Sequence, residues 1–237
     1  MRSRGANFIR ALFISFERVF LGVGLNLILM VLTAYPLSKT RKKVAGRNIY
    51  MVYFVITMLV SGGMIPTYLV VTGLGLKDTI WALILPGGLM GAMNVLMVRN
   101  YYNANIPYSI IEAAGMDGAS DLRIYTSIIV PLSKPVLATI GLFAAIGYWN
   151  NWTNGLYYIS DSNLYTIQVY LKRLMDNIAY LKSSNNMVES ASLAMKSLPT
   201  ESARMAIAII AIIPILLVYP FIQKQLVKGM VIGGVKG

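Results

Sequence analysis

A chain of 237 residues in which 57% of side chains are hydrophobic, only 13% are charged and the mean hydropathy is +0.63 is too apolar for a soluble domain, where about a quarter of residues carry charge. It contains no cysteine and no histidine, which excludes disulfides, thiolate or imidazole metal sites, a cysteine nucleophile and the usual general base. A net charge of +12 would fit nucleic acid in a soluble protein, but here the basic residues flank apolar runs and read as topology signals, so nucleic acid is not an expected partner.

Residues 1–18 carry Arg2, Arg4, Arg10 and Arg18, while Phe8, Ile9, Leu12, Phe13 and Phe16 fall on one helical face. This pattern predicts an amphipathic lead-in lying on a bilayer surface. A signal peptide is not expected, because the apolar stretch that follows is too long for one and further spans come after it. Five uncharged intervals then follow, 19–38, 48–76, 79–98, 135–160 and 205–223. Each can cross a hydrocarbon layer of about 30 Å at about 1.5 Å per helical residue. The expected fold is therefore all-α, a polytopic bundle of five membrane helices forming a single permeating domain over 1–237.

The second interval exceeds one crossing and contains Ser61, Gly62, Gly63 and Pro66, so its helix should break there and end in a turn near Gly73 and Gly75, before Lys77 and Asp78. Backbone carbonyls freed by such a break line a wet cavity or are buried in protein, and both readings stay open for Gly62 and Gly63. In the third interval Gly87 and Gly91 form a small-x-x-x-small pair, read as helix packing. The loop KTRKKVAGR carries Lys39, Arg41, Lys42, Lys43 and Arg47 without an acid and marks the cytoplasmic side; anionic lipid is a further contact for it. By alternation 99–134 and the tail 224–237 also face the cytoplasm and 161–204 lies outside. That leaves an arginine-rich N-terminus on the outer side, a strain that either an inverted chain or an additional helix upstream would relieve.

Within 99–134 a charged island interrupts the hydrocarbon. Pro107 and the S-x-x-E run from Ser109 to Glu112 predict a helix starting near Ser109; Gly118 interrupts it, Ser120 or Asp121 caps a second helix, and Pro131 and Pro135 close that one. The product is two short helices joined at a glycine bend. Farther on, GYWNNWTN places Tyr148, Trp149, Asn150, Asn151, Trp152 and Asn154 roughly 20 Å across the layer. Aromatic faces and amides at that depth suit sugars, and equally an interfacial aromatic belt with capping asparagines. The segment from Ile167 to Asp176 predicts a polar-faced helix at the outer mouth.

The run Glu112-Ala113-Ala114, Gly118, Ile128, Pro131 resembles the EAA loop of permease subunits of ATP-binding cassette importers, with Val130 where the pattern has leucine. SGGMIPTYLVVTGLGL, IWALILPG, GYWNNW, YPFIQKQLVKG and the closing GVKG are similar to the carbohydrate-importing, maltose-type branch, especially members serving oligosaccharides or polysaccharide fragments. The resemblance covers essentially the whole chain and implies a type I importer fold, N-terminally shortened by one helix, in the cell membrane. It implies cytoplasmic ATPase subunits that receive the EAA helix through Glu112, Ala113, Ala114, Gly118, Ile128 and Pro131. It further implies a second permease, an extracytoplasmic solute-binding protein, no cofactor and no catalytic residue in this subunit. Consistent with that division of labour, no Gly-x-x-x-x-Gly-Lys-Ser/Thr phosphate loop occurs. The alternatives are an importer of the same class for peptides or polyamines, and an ion-coupled secondary transporter. The latter needs ionisable groups at depth, which the uncharged intervals lack. An intramembrane enzyme lacks its histidine, cysteine or paired carboxylates.

Overall fold

The computed structural model describes residues 2–39, 44–87 and 89–183, and in the C-terminal part residues 205, 208, 209, 211–214 and 216. The basic residues Arg41, Lys42 and Lys43, most of the fifth apolar interval, the outer loop beyond 183 and the tail 224–237 lie outside them. Among the described residues the regular structure is helical: α1 (Arg2–Ser38), α2 (Arg47–Leu59), α3 (Met64–Gly73), α4 (Ile80–Ile84), α5 (Ala92–Asn105), α6 (Tyr108–Met116), α7 (Asp121–Ile124), α8 (Val130–Leu132), α9 (Lys134–Asn150), α10 (Thr153–Tyr158) and α11 (Ile167–Ser183). A π turn (Tyr125–Ile129) joins α7 to α8, and a 3₁₀ turn (Ser162–Leu164) precedes α11.

Helix α1 is the axis of the bundle, with α9, α5, α4, α2 and α11 packed around it. Its Met30, Ala34 and Leu37, spaced three and four apart on one face, meet Phe54 of α2, Val95, Val98 and Tyr102 of α5 and Ile140 of α9 in the main core. A second cluster at the opposite end joins Ile14 of α1 to Val71, Ala82, Leu83 and Tyr158. The surface of α2 and α3 stays apolar, with Ile49, Tyr53, Leu59, Ile65 and Leu69 exposed. A surface of this kind suits hydrocarbon or another subunit rather than water.

One described helix is by itself long and apolar enough to span a membrane, Asn7–Ser38, and two bent pairs reach that standard together: Arg47–Leu59 with Met64–Gly73, bent by 114°, and Asp121–Leu132 with Lys134–Asn150, bent by 72°. The first bend falls at Ser61–Gly63, where Gly63 has φ 81°, and α3 gives way at Gly73 to a turn with Gly75 at φ 67°, as the sequence predicts. Residues 2–18 are not a separate helix: they continue into the first span without a break, and their Ser15 and Arg18 are buried against the bundle.

The third interval departs most from expectation. It is not one helix: α4 stops at Ile84, a turn through Pro86 and Gly87 (φ 91°) follows, and α5 begins after Gly91. Gly87 and Gly91 therefore lie in a turn and at a helix cap, not on a packing face. Pro86 followed by glycine is the local cause, since proline withholds a backbone donor and glycine accepts the left-handed conformation.

Candidate functional site

Two regions at opposite ends of α1 carry the polar chemistry. At the C-terminal end of α1, helix α6 begins at Tyr108 with Pro107 in the cap position, and Ser109 lies inside the helix without capping it. The preformed φ of −60° at Pro107 sets the cap two residues earlier than Ser109, where the S-x-x-E pattern puts it. The helix ends as a Schellman turn: Gly118 has φ +78°, its amide donates to the Gly115 carbonyl at 3.1 Å, and the Ala119 amide donates to the Ala114 carbonyl at 3.0 Å. Ser120 then caps α7, its hydroxyl accepting from the Arg123 amide at 3.3 Å.

Beyond α7 the chain widens into the π turn, where the Val130 amide donates to the Tyr125 carbonyl, and it continues through Pro131 to Leu132. Pro131 thus does not close the second helix; the bend comes at Ser133, whose hydroxyl and amide both donate to the Ile129 carbonyl. The wide turn delivers the chain to Pro131, where no amide is available for an α bond. Of the residues singled out here, Glu112, Ala113, Gly118 and Pro131 are exposed, and Ala114 and Ile128 pack partly against the main core. Met116 is 85% exposed and Leu122 is 69% exposed, so the elbow turns an apolar rim outward.

Lys39, just past α1, bridges to Asp121 at 2.6 Å and lies 4.7 Å from the centre of the Tyr35 ring. Partial burial pulls the Lys39 ammonium down, but the hydrogen bond to Asp121 and the neighbouring Tyr35 outweigh it and hold its pKa above the ordinary lysine value. Beneath the elbow is a cavity of 640 Å³ with Glu112, Lys39, Tyr102 and Asp121 in its walls.

The other region lies around Arg18. This side chain is 1% exposed, donates from Nε to the Leu83 carbonyl at 2.9 Å and from Nη1 to the Asn151 carbonyl at 2.6 Å, and sits 5.7 Å from the centre of the Tyr148 ring. Asn154 donates to the carbonyls of Pro86 (2.9 Å) and Leu83 (3.4 Å), and the Tyr148 hydroxyl donates to the Ile84 carbonyl at 3.3 Å. These donors satisfy carbonyls released where α4 stops, which is what permits a broken helix inside a bundle. Gly22 lets the ring of Tyr148 close on α1, since a Cβ there would lie 2.8 Å from it. Arg18, Tyr148, Asn151 and Asn154 face a cavity of 270 Å³ together with Asn26 and Asn94.

Arg18 corrects the expectation that no ionisable group lies at depth. Scored as one more flanking arginine, it sits in a stripe legible in hindsight: Ser15, Arg18, Gly22 and Asn26 recur at helical spacing on one face of α1. Of the residues singled out in GYWNNWTN, Tyr148, Asn151 and Asn154 line this cavity, and Trp149, Asn150 and Trp152 do not. Trp149 is buried, donates its indole N–H to the Ala211 carbonyl at 2.9 Å and packs on Phe16. Asn150 is exposed, and Trp152 is partly exposed beside Lys172, whose ammonium lies 5.6 Å from its ring centre. Gly62 and Gly63 are exposed at the α2–α3 bend and line neither cavity; the Gly63 carbonyl accepts from the Thr67 hydroxyl at 2.8 Å.

A long axial helix, broken partners and an exposed two-helix elbow match one family in sequence. Residues 19–232 fit the binding-protein-dependent transport system inner membrane component. The chain belongs to that family. It is 42% identical over 229 residues to the polygalacturonan/rhamnogalacturonan transport system permease protein YtcP of Bacillus subtilis (strain 168), covering 96% of this chain and 77% of YtcP. It is 39% identical to protein LplC of the same organism, covering 97% of this chain and 75% of LplC. In three dimensions it is similar to a chain of a bacterial ABC transporter involved in the import of the acidic polysaccharide alginate, with a TM-score of 0.78, 35% identity and coverage of 92% of this chain and 75% of that one. This permease is accordingly a membrane-spanning, non-catalytic subunit of a binding-protein-dependent transport system.

Proposed function

We propose that this permease carries a carbohydrate, an oligosaccharide or polysaccharide fragment, across the membrane by alternating access, driven by ATP hydrolysis in separate cytoplasmic subunits. The observation that carries the reading is the elbow: Gly118 holds α6 and α7 in a fixed bend, with Glu112, Ala113, Met116 and Leu122 turned outward. Small residues beside an apolar rim suit insertion into a cleft of an ATPase, and a bend held by backbone geometry transmits force without a side-chain relay. Relatives named for poly- and oligosaccharides support the sugar. The basic loop at Lys39 and the elbow then face the cytoplasm, a second permease covers the exposed apolar surface, and a loaded binding protein docks at the opposite end.

Coupling of this kind is reciprocal for binding, so a loaded binding protein raises ATPase activity. Co-purification from native membranes tests the assembly. An ATPase and a second EAA-bearing permease should accompany the chain, and an Ala113→Cys variant should crosslink to the ATPase. Capture of lipid alone at that position would sink the reading.

A further inference from the structure

The guanidinium of Arg18 does more than clamp helix ends. Its Nε and Nη1 hold the carbonyls of Leu83 and Asn151, but its buried Nη2 has no hydrogen-bond partner among the described residues. A buried cation with an unused donor is costly, and such a group inside a membrane-spanning helix points by default to a functional path. Among the described residues the cavity it lines holds this one cation and no carboxylate. Asn94, in the first turn of α5, lines the same space, so the positive end of a 14-residue helix adds to the field of Arg18.

We propose that the Arg18 cavity is a carboxylate subsite of the translocation path, through which this permease selects acidic saccharides. The reading rests on the carbohydrate transport proposed above and narrows its substrate to uronate-bearing chains. At 270 Å³ the cavity falls just below the roughly 300–1,000 Å³ of pockets that hold whole ligands, so it suits one sugar residue of a chain. A carboxylate there accepts from Nη2, while the Asn94 amide reaches the neighbouring hydroxyls and the Tyr148 ring offers an apolar face. Arg18 lies 20 residues before Ser38, about 30 Å along α1, and 11 residues after Asn7, so it sits inside the spanning helix in the half away from the elbow. An anionic sugar therefore meets this charge within the path, before it reaches the elbow end.

The test uses the complete importer with its ATPase, second permease and binding protein in proteoliposomes, and follows uptake of tritium-labelled short uronate oligomers and of their carboxyl-reduced neutral counterparts. The binding protein is the same throughout, so its own preference cancels when variant and unaltered importers are compared. Arg18→Gln should lower the uronate-to-neutral uptake ratio by at least about tenfold, the scale of one charge-assisted hydrogen bond. Asn94→Asp, which places an anion opposite Arg18 and leaves the helix clamp in place, should lower the same ratio and decides the matter if the first variant fails to assemble. A ratio unchanged in the assembled variants, or an unaltered importer that moves neutral sugars and rejects uronates, overturns the subsite while leaving carbohydrate transport standing. An unaltered importer that moves neither sugar overturns the transport reading itself.

Discussion

The elbow at Gly118 and the cavity at Arg18 are built by opposite means. The elbow is exposed, and its shape comes from the main chain: a positive φ, a Schellman turn and a serine cap. The cavity is bordered by buried side chains, and its shape comes from those that reach across the bundle to carbonyls a broken helix cannot satisfy itself. The force transfer proposed for the elbow needs a rigid shape offered to a partner, whereas the recognition proposed for the cavity needs donors held in place away from water. Backbone geometry suits the first and long-range side-chain bonds suit the second.

Substitutions can separate the two. The largest effect is expected for Gly118→Val, because a β-branched residue at φ +78° costs about 1–2 kcal/mol and distorts the bend. ATP-driven uptake and ATPase association should be lost while membrane insertion is retained; uptake at the unaltered rate would remove the elbow from the mechanism. Next comes Asn154→Leu, which strips the Pro86 carbonyl of its donor. A loss of about 1–3 kcal/mol should appear as a lower thermal midpoint in detergent, with association of the ATPase unchanged.

Lys39→Ala should be milder, about 0.2–1 kcal/mol, since the bridge to Asp121 is partly exposed. Because the Lys39 pKa is raised, its contribution is complete below the ordinary lysine value of 10.5 and fades only as pH rises through the elevated one, so the tie should not vary across neutral pH. The smallest effect belongs to Asp78. The amides of Asp161 and Ser160 hold its carboxylate below the ordinary value of 3.8, so its clip between the two outer turns is present at neutral pH and lost as pH falls through the lowered value. Hydrogen exchange at those two amides should accelerate in Asp78→Asn and, for the unaltered chain, only in acid.

The contrast between the regions also explains what could be read from residues alone. A bend made by local backbone preference has a local signature, and Gly118 with Ser120 carries it; the failure at Ser109 is a competition for the cap that Pro107 wins. The break at Pro86 is not legible from charge, because an uncharged Pro-Gly turn leaves no mark on the charge pattern that separates the spans. Arg18 was hidden for the converse reason: flanking arginines look alike by charge, and only its alignment with Ser15, Gly22 and Asn26 separates it from Arg2, Arg4 and Arg10. Tyr148 and Trp149 show the remaining limit, since which of two adjacent side chains meets a cavity depends on partners such as α11 and Ala211 that are distant in sequence.

That α1 runs unbroken from Arg2 to Ser38 has a mechanical consequence. Lys39 fastens one end of the rod to the elbow, and Arg18 rides on the same rod about five and a half turns away. On the coupling proposed above, a tug at the elbow reaches the guanidinium through this one helix, so the two proposed sites share a single moving part.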